Sequence, residues 1–148
     1  MQKSREPRSI RTVAMVLLAR REHSAYELKQ KLKLREFDLD EIDSAMALLQ
    51  KDRLQSDSRF TESYVNHRVN AGFGPIKISH ELRQKGVSNE LVDEYLPRKN
   101  IQWDKMMEQQ RVRKFGLEIP LDYSLRMKQA RFLQIRGFSP DAVMRLFR

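Results

Sequence analysis

The heptapeptide Leu82-Arg-Gln-Lys-Gly-Val-Ser88 returns 51 residues later as Leu133-Gln-Ile-Arg-Gly-Phe-Ser139. Leu32-Lys-Leu-Arg-Glu-Phe-Asp38 fits the same frame 50 residues before the first of these. Each copy holds a leucine, a cation three residues on, then a turn residue, an apolar residue and a helix-capping Ser or Asp. The frame has a direct physical reading. The leucine packs inward on the last turn of a helix, and the cation complements the negative end of the helix dipole. Glycine adopts the left-handed conformation that closes a helix. The apolar residue seals the corner, and the Ser or Asp starts the next helix. Glu36 stands where the other copies have Gly86 and Gly137, so the first turn is expected to differ or to be strained. Self-similarity at a fixed spacing of this size is the mark of stacked repeat units.

Helical spacing fills in three units. Ser9 is placed to cap a helix bearing Ile10, Val13, Leu17 and Leu18 and ending near Arg20-Arg21. Ser24 and Glu27 form a capping box for a second helix with Leu28 and Leu32 on one face. Asp38 opens a third, with Ile42, Met46 and Leu49 as its apolar stripe. The pattern then restarts. Asp57 or Ser58 caps a helix carrying Phe60, Tyr64 and Val65, Pro75 begins the next at the position proline favours, and Ser88 caps the third, which Pro97 ends. A last pass starts near Asn100, with Trp103, Met107 and Phe115 on a helix running to Gly116. Pro120 interrupts, Asp122 caps a helix reaching Arg136, and Ser139-Pro140-Asp141 starts the final one. The expected fold is all-α: three tandem three-helix repeats in an elongated array that can curve. The expected repeats are residues 1–56, including a short N-terminal tail, then 57–99, then 100–148. Leu82, Gly86, Leu133 and Gly137 are structural members of the frame.

The chain is strongly basic, with a formal net charge of +9 over 148 residues. Residues 101–148 carry 10 basic against 5 acidic side chains, whereas residues 57–100 carry 7 against 6. Such a balance favours polyanionic partners, either nucleic acid or an acidic protein surface. There is no cysteine, which excludes disulfides and thiolate metal sites. The first residues are polar and lead into no secretory cleavage site, and the longest apolar run, Val13 to Ala19, is too short to span a bilayer. A soluble, cytoplasmic, monomeric protein is expected, without membrane contact.

No catalytic signature is present. The chain lacks a phosphate-binding Gly-rich loop ending in Gly-Lys-Ser/Thr and lacks a His-Glu-x-x-His sequence, and His23, His67 and His80 are dispersed. No enzyme activity, metal or cofactor is expected. Gly72-Phe-Gly-Pro75 could cradle an anion at the following helix N-terminus, but glycine and proline are turn residues first, and a tight inter-helix turn is preferred. Phe60 and Tyr64 lie four apart and could stack on bases; as an apolar pair on one helix face they are read as core, as is Trp103. Phe60, Tyr64, Gly72, Gly74 and Pro75 are therefore assigned structural roles. The candidate contacts are cations: Arg59, Arg68, Lys77, Arg83 and Lys85 in the middle unit, and Arg111, Arg113, Arg126, Lys128 and Arg131 in the last. On short amphipathic helices these are expected to face solvent largely.

Three stretches resemble the RecX regulatory proteins: Ala19-Arg-Arg-Glu-His-Ser-Ala-Tyr-Glu-Leu28, the segment Asp57 to Pro75 with its Asp-x-Arg-Phe and Gly-x-Gly-Pro, and Ile78-x-x-Glu-Leu-x-x-Lys-Gly-Val87. The resemblance extends over essentially the whole chain. It implies three tandem three-helix repeats, in agreement with the spacing. It also implies a non-enzymatic partner of the RecA recombinase and its filament on single-stranded DNA, with weak DNA contact besides. Blocked filament extension or promoted disassembly would lower recombinase, ATPase and coprotease activities, within DNA repair, recombination and the SOS response. A helix-turn-helix-type protein that binds DNA directly is the alternative.

Overall fold

In the computed structural model, residues 9–96 and 102–148 are described. The N-terminal tail, the stop at Pro97, the start near Asn100 and the repeat boundary at 99/100 lie outside them. The described residues form nine α-helices and no strand: α1 (Ile10–Arg20), α2 (Ala25–Leu34), α3 (Leu39–Lys51), α4 (Asp57–Asn70), α5 (Pro75–Gln84), α6 (Asn89–Tyr95), α7 (Trp103–Phe115), α8 (Tyr123–Ile135) and α9 (Pro140–Leu146).

The starts follow the capping chemistry. The hydroxyl of Ser9 accepts from the Thr12 N–H, and that of Ser88 from the Leu91 N–H. Ser24 and Glu27 complete a reciprocal capping box. Asp122 and Ser139 accept from the N–H groups of Leu125 and Ala142, and Pro140 occupies the first turn of α9. Asp38 sits at the cap of α3 without a side-chain bond. One start is corrected: the cap of α4 is neither Asp57 nor Ser58 but Ser56, whose hydroxyl accepts from Arg59 N–H at 3.2 Å. Asp57 is thereby inside the helix, and its carboxylate is free for a longer-range bond.

The three frame leucines, Leu32, Leu82 and Leu133, are all fully buried. The residues that follow at the turns are all left-handed: Glu36 at φ 65°, Gly86 at φ 77° and Gly137 at φ 105°. In the first and third copies the apolar residue after the turn donates back to the frame leucine, Phe37 N–H to Leu32 O and Phe138 N–H to Leu133 O, which is how a left-handed cap satisfies late helix carbonyls. Glu36 therefore keeps the same geometry as the glycines rather than a different turn, and holds a conformation that costs a non-glycine residue about 1 kcal/mol.

The chain divides into two compact units. One comprises Met1–Ser63 with Lys85–Val87, and the other Tyr64–Gln84 with Ser88–Arg148. The first is built on Val13, Ala14 and Leu17 of α1, Leu28 and Leu32 of α2, and Ile42, Met46 and Leu49 of α3. In the second, Met107, Ala130, Leu133, Phe138, Val143 and Phe147 form a core on which Trp103, Met127 and Phe132 pack. Phe60 is buried as expected, while Tyr64 is half-buried.

Candidate interaction surface

In the first unit the conspicuous sequence stretches meet. Asp57 Oδ1 accepts from the Ala25 N–H at 2.7 Å and from Gln55 Nε2 at 3.0 Å. It thus satisfies one of the unpaired amides at the start of α2, beside the bond that Ser24 already supplies. Buried Gln55 also donates to His23 O at 3.2 Å. Arg59 pairs with Glu22 at 3.0 Å, and Lys85 with Glu27 at 3.2 Å. Burial works to raise the Glu27 pKa. Hydrogen bonds from Arg21 and the Ser24 N–H, with the charge of Lys85, outweigh it and bring the value down to about 2. Glu27 is therefore an ionised hub between α2 and Lys85. His23 is buried, and that burial pushes its pKa down. The Lys31 ammonium lies 2.8 Å from His23 Nε2, which must accept, so Nδ1–H donates to Arg21 O at 3.0 Å. Sequence reasoning selected Arg59 and Lys85 but missed Glu22, Glu27 and Gln55. The capping box was the visible signal, for Glu27 alone.

The corner between α4 and α5 belongs to the second unit. Arg68 makes a two-pronged pair with Glu81 at 3.0 and 2.9 Å, and its guanidinium stands 3.7 Å from the centre of the Phe73 ring. The guanidinium of Arg136 lies 4.7 Å and the ammonium of Lys77 5.1 Å from the same ring. The amides of Gly72 and Phe73 donate to Val69 O and Arg68 O, and those of Gly74 and Ile76 to Arg136 O and Gly137 O. Pro75 has no amide to offer. Every N–H that could have formed an anion nest at 72–76 is thus spent on backbone, and the segment is a turn. A methyl group on Gly74 would stand 2.6 Å from Phe138 N, so the glycine permits a backbone-to-backbone approach. Arg83 is exposed and donates to Asn89 Oδ1 at 3.0 Å.

The cations of the last helices do not form one face. Arg111 is fully buried, which corrects the expectation that it faces solvent. Its guanidinium pairs with Glu108 at 2.7 and 3.0 Å. It also donates to the carbonyls of Leu117 at 3.0 Å, Gly116 at 3.3 Å and Glu118 at 3.4 Å, and to Gln129 Oε1 at 3.3 Å. A planar five-donor fork is suited to gathering the carbonyls that the end of α7 and its loop leave unpaired. Arg126 is half-buried and donates to Pro120 O at 2.7 Å and Phe147 O at 3.3 Å. Arg113, Lys128 and Arg131 are exposed and take part in no ion pair among the described residues.

A groove of about 930 Å³ in the second unit is bordered by Ile76, Arg83, Trp103, Phe138 and Arg145. Trp103 packs on the core, as its apolar body requires, and its Nε1 is buried without an acceptor among the described residues. Among those residues no group of three or more His, Asp or Glu side chains is placed to hold a metal ion. No helix among them is long and apolar enough to cross a membrane.

Three family models match, described as the first, second and third three-helix domains of RecX, over residues 11–49, 56–96 and 104–147. A protein of Pseudomonas fluorescens named Regulatory protein RecX is 41% identical over 138 residues, covering 93% of this chain and 89% of that one. A protein of the same name from Pseudomonas tolaasii is similar to the same extent, 41% over 138 residues with the same coverage. The crystal structure of RecX from Lactobacillus salivarius superposes with a TM-score of 0.75 at 21% identity, over 90% of this chain and 89% of that one, a likeness of fold.

Proposed function

The chain belongs to the RecX family of regulatory proteins, and we propose that it binds the RecA recombinase and its filament on single-stranded DNA and inhibits it. The observation that carries this reading is the match to all three RecX domains in order, with about 41% identity to a regulatory protein along most of the chain. Inhibition is by binding rather than catalysis, through arrest of filament extension, with residues 1–56, 57–99 and 100–148 as the modules that engage the filament. Arg59, Arg68, Lys77, Arg83 and Lys85 contribute less to contact than Arg113, Lys128 and Arg131, because most of the first group would have to give up an internal partner. Arg126 acts through the loop it holds, and Arg111 is excluded as a contact by its burial.

The test is the ATPase of preformed RecA–single-strand DNA filaments on addition of the purified chain. We expect progressive inhibition at substoichiometric to stoichiometric amounts. Unchanged hydrolysis at equimolar protein would sink the reading. Tight binding to DNA without RecA, with a steep salt slope, would favour direct DNA recognition instead.

A further inference from the structure

The loop between α7 and α8, Gly116-Leu-Glu-Ile-Pro-Leu-Asp122, combines two features that rarely serve stability together. Its backbone is held: buried Arg111 takes the carbonyls of Gly116, Leu117 and Glu118, and Arg126 takes that of Pro120. Its apolar side chains are nevertheless left in solvent. Leu117 is 82% exposed, Leu121 93%, and Ile119 39%; at the start of α8, Tyr123 is 73% and Leu125 51% exposed. Five large apolar side chains exposed within nine residues are a concentration, not the isolated surface leucines found on any protein. Held backbone with free apolar side chains is the arrangement of an anchor that has already lost its conformational freedom before it binds.

From this geometry we infer that the Leu117–Leu125 segment is the protein-docking knob of the last domain, inserting into an apolar cleft with an acidic border on the partner protein. The charge supplies the border. Of the seven basic side chains in residues 111–136, Arg111 is buried and Arg126 and Arg136 are half-buried; Arg113, Lys114, Lys128 and Arg131 are exposed on the flanking helices, against the exposed Glu118 and Asp122 of the loop. Leucine and isoleucine make neither ion pairs nor hydrogen bonds with phosphates and base edges, which supply most nucleic-acid contacts, so a segment dominated by them faces protein rather than nucleic acid. A lipid surface would suit the same composition, but a fluid bilayer places no demand on loop geometry and would leave the four held carbonyls without purpose. The inference rests on the reading above in taking the protein subunits of the RecA filament as that partner. It assigns protein contact to the last domain's loop.

The experiment titrates labelled full-length chain onto preformed RecA–single-strand DNA filaments by fluorescence anisotropy. Wild type is compared with Leu117→Ser/Leu121→Ser and with Leu117→Met/Leu121→Met. Both positions are so exposed that helix content and thermal melting are expected to stay at wild-type values. The serine pair should weaken filament binding at least tenfold at both low and high salt, and the methionine pair should restore most of it. Absence of wild-type binding would overturn the functional reading and the knob with it. Wild-type inhibition with an undiminished serine variant would overturn the knob alone. Loss of self-association in sedimentation, or of co-sedimentation with anionic phosphatidylserine vesicles, with filament binding intact, would assign the knob to a second copy or to a membrane and overturn the inference.

Discussion

The corner at 72–76 and the loop at 116–122 both lie in the second unit between successive helices, and they divide their labour in opposite ways. The corner is conspicuous in sequence, with two glycines, a phenylalanine and a proline in four residues. In the structure all of that chemistry turns inward. Its amides donate to backbone carbonyls, Gly74 lies against the Gly137 peptide, and Phe73 is covered by Arg68 and Arg136. The loop looks like an ordinary connection, yet it has its carbonyls collected from behind and its leucines facing water. Unusual residues mark a place where the backbone is under constraint, which need not be a place where a partner binds. A binding surface can be made from common residues when another part of the chain holds them still.

The largest effect should come from breaking the corner. Gly74→Ala places a methyl group against the backbone of Gly137 and Phe138, where no flexible side chain can yield. A loss of about 3 kcal/mol or more is expected from urea unfolding; a change below 1 kcal/mol would mean that the two backbones can separate without consequence. Arg111→Lys attacks the loop next. Lysine keeps the charge but cannot reach Glu108, three carbonyls and Gln129 together, and about 2–3 kcal/mol should be lost. Limited proteolysis should cut near Leu117 faster than in wild type. Stability and cleavage at wild-type values would show that the loop does not depend on the Arg111 guanidinium. The smallest effect sharpens the comparison through a third turn. Glu36→Gly relieves a left-handed residue that is exposed and needs no side chain there, for a gain of about 0.5–1 kcal/mol in melting experiments. A loss instead would show that the Glu36 side chain contributes more than its backbone costs.

Much of the fold was legible because its determinants are local. Ser9, Ser24, Ser88, Asp122 and Ser139 cap the helices their spacing indicates, since a cap is a bond between residues two or three apart. The α4 cap was misplaced by one or two residues, at Asp57 or Ser58 instead of Ser56, because all three have capping chemistry. The bond from the Arg59 N–H selects Ser56, and the distant Ala25 amide draws the Asp57 carboxylate elsewhere. The candidate site was less legible. Arg111 and Arg113 are two residues apart on the same basic helix end, and one is fully buried while the other is exposed. Hydrophobic periodicity gives the face of a helix. It does not reveal that a loop five to seven residues on will present carbonyls to one arginine of that face.

By itself the sequence determined an all-helical chain of three-helix repeats and the frame that joins the second and third helix of each, because caps, left-handed turns and apolar stripes are written at short range, and its motifs marked membership of a regulatory family. The tertiary structure decided which cations are free, that Gly72–Pro75 is occupied by its own backbone partners, and that the leucines after α7 stand in solvent. Those outcomes depend on what lies opposite each residue across the packing, and a guanidinium or an amide satisfied there has nothing left to offer a partner.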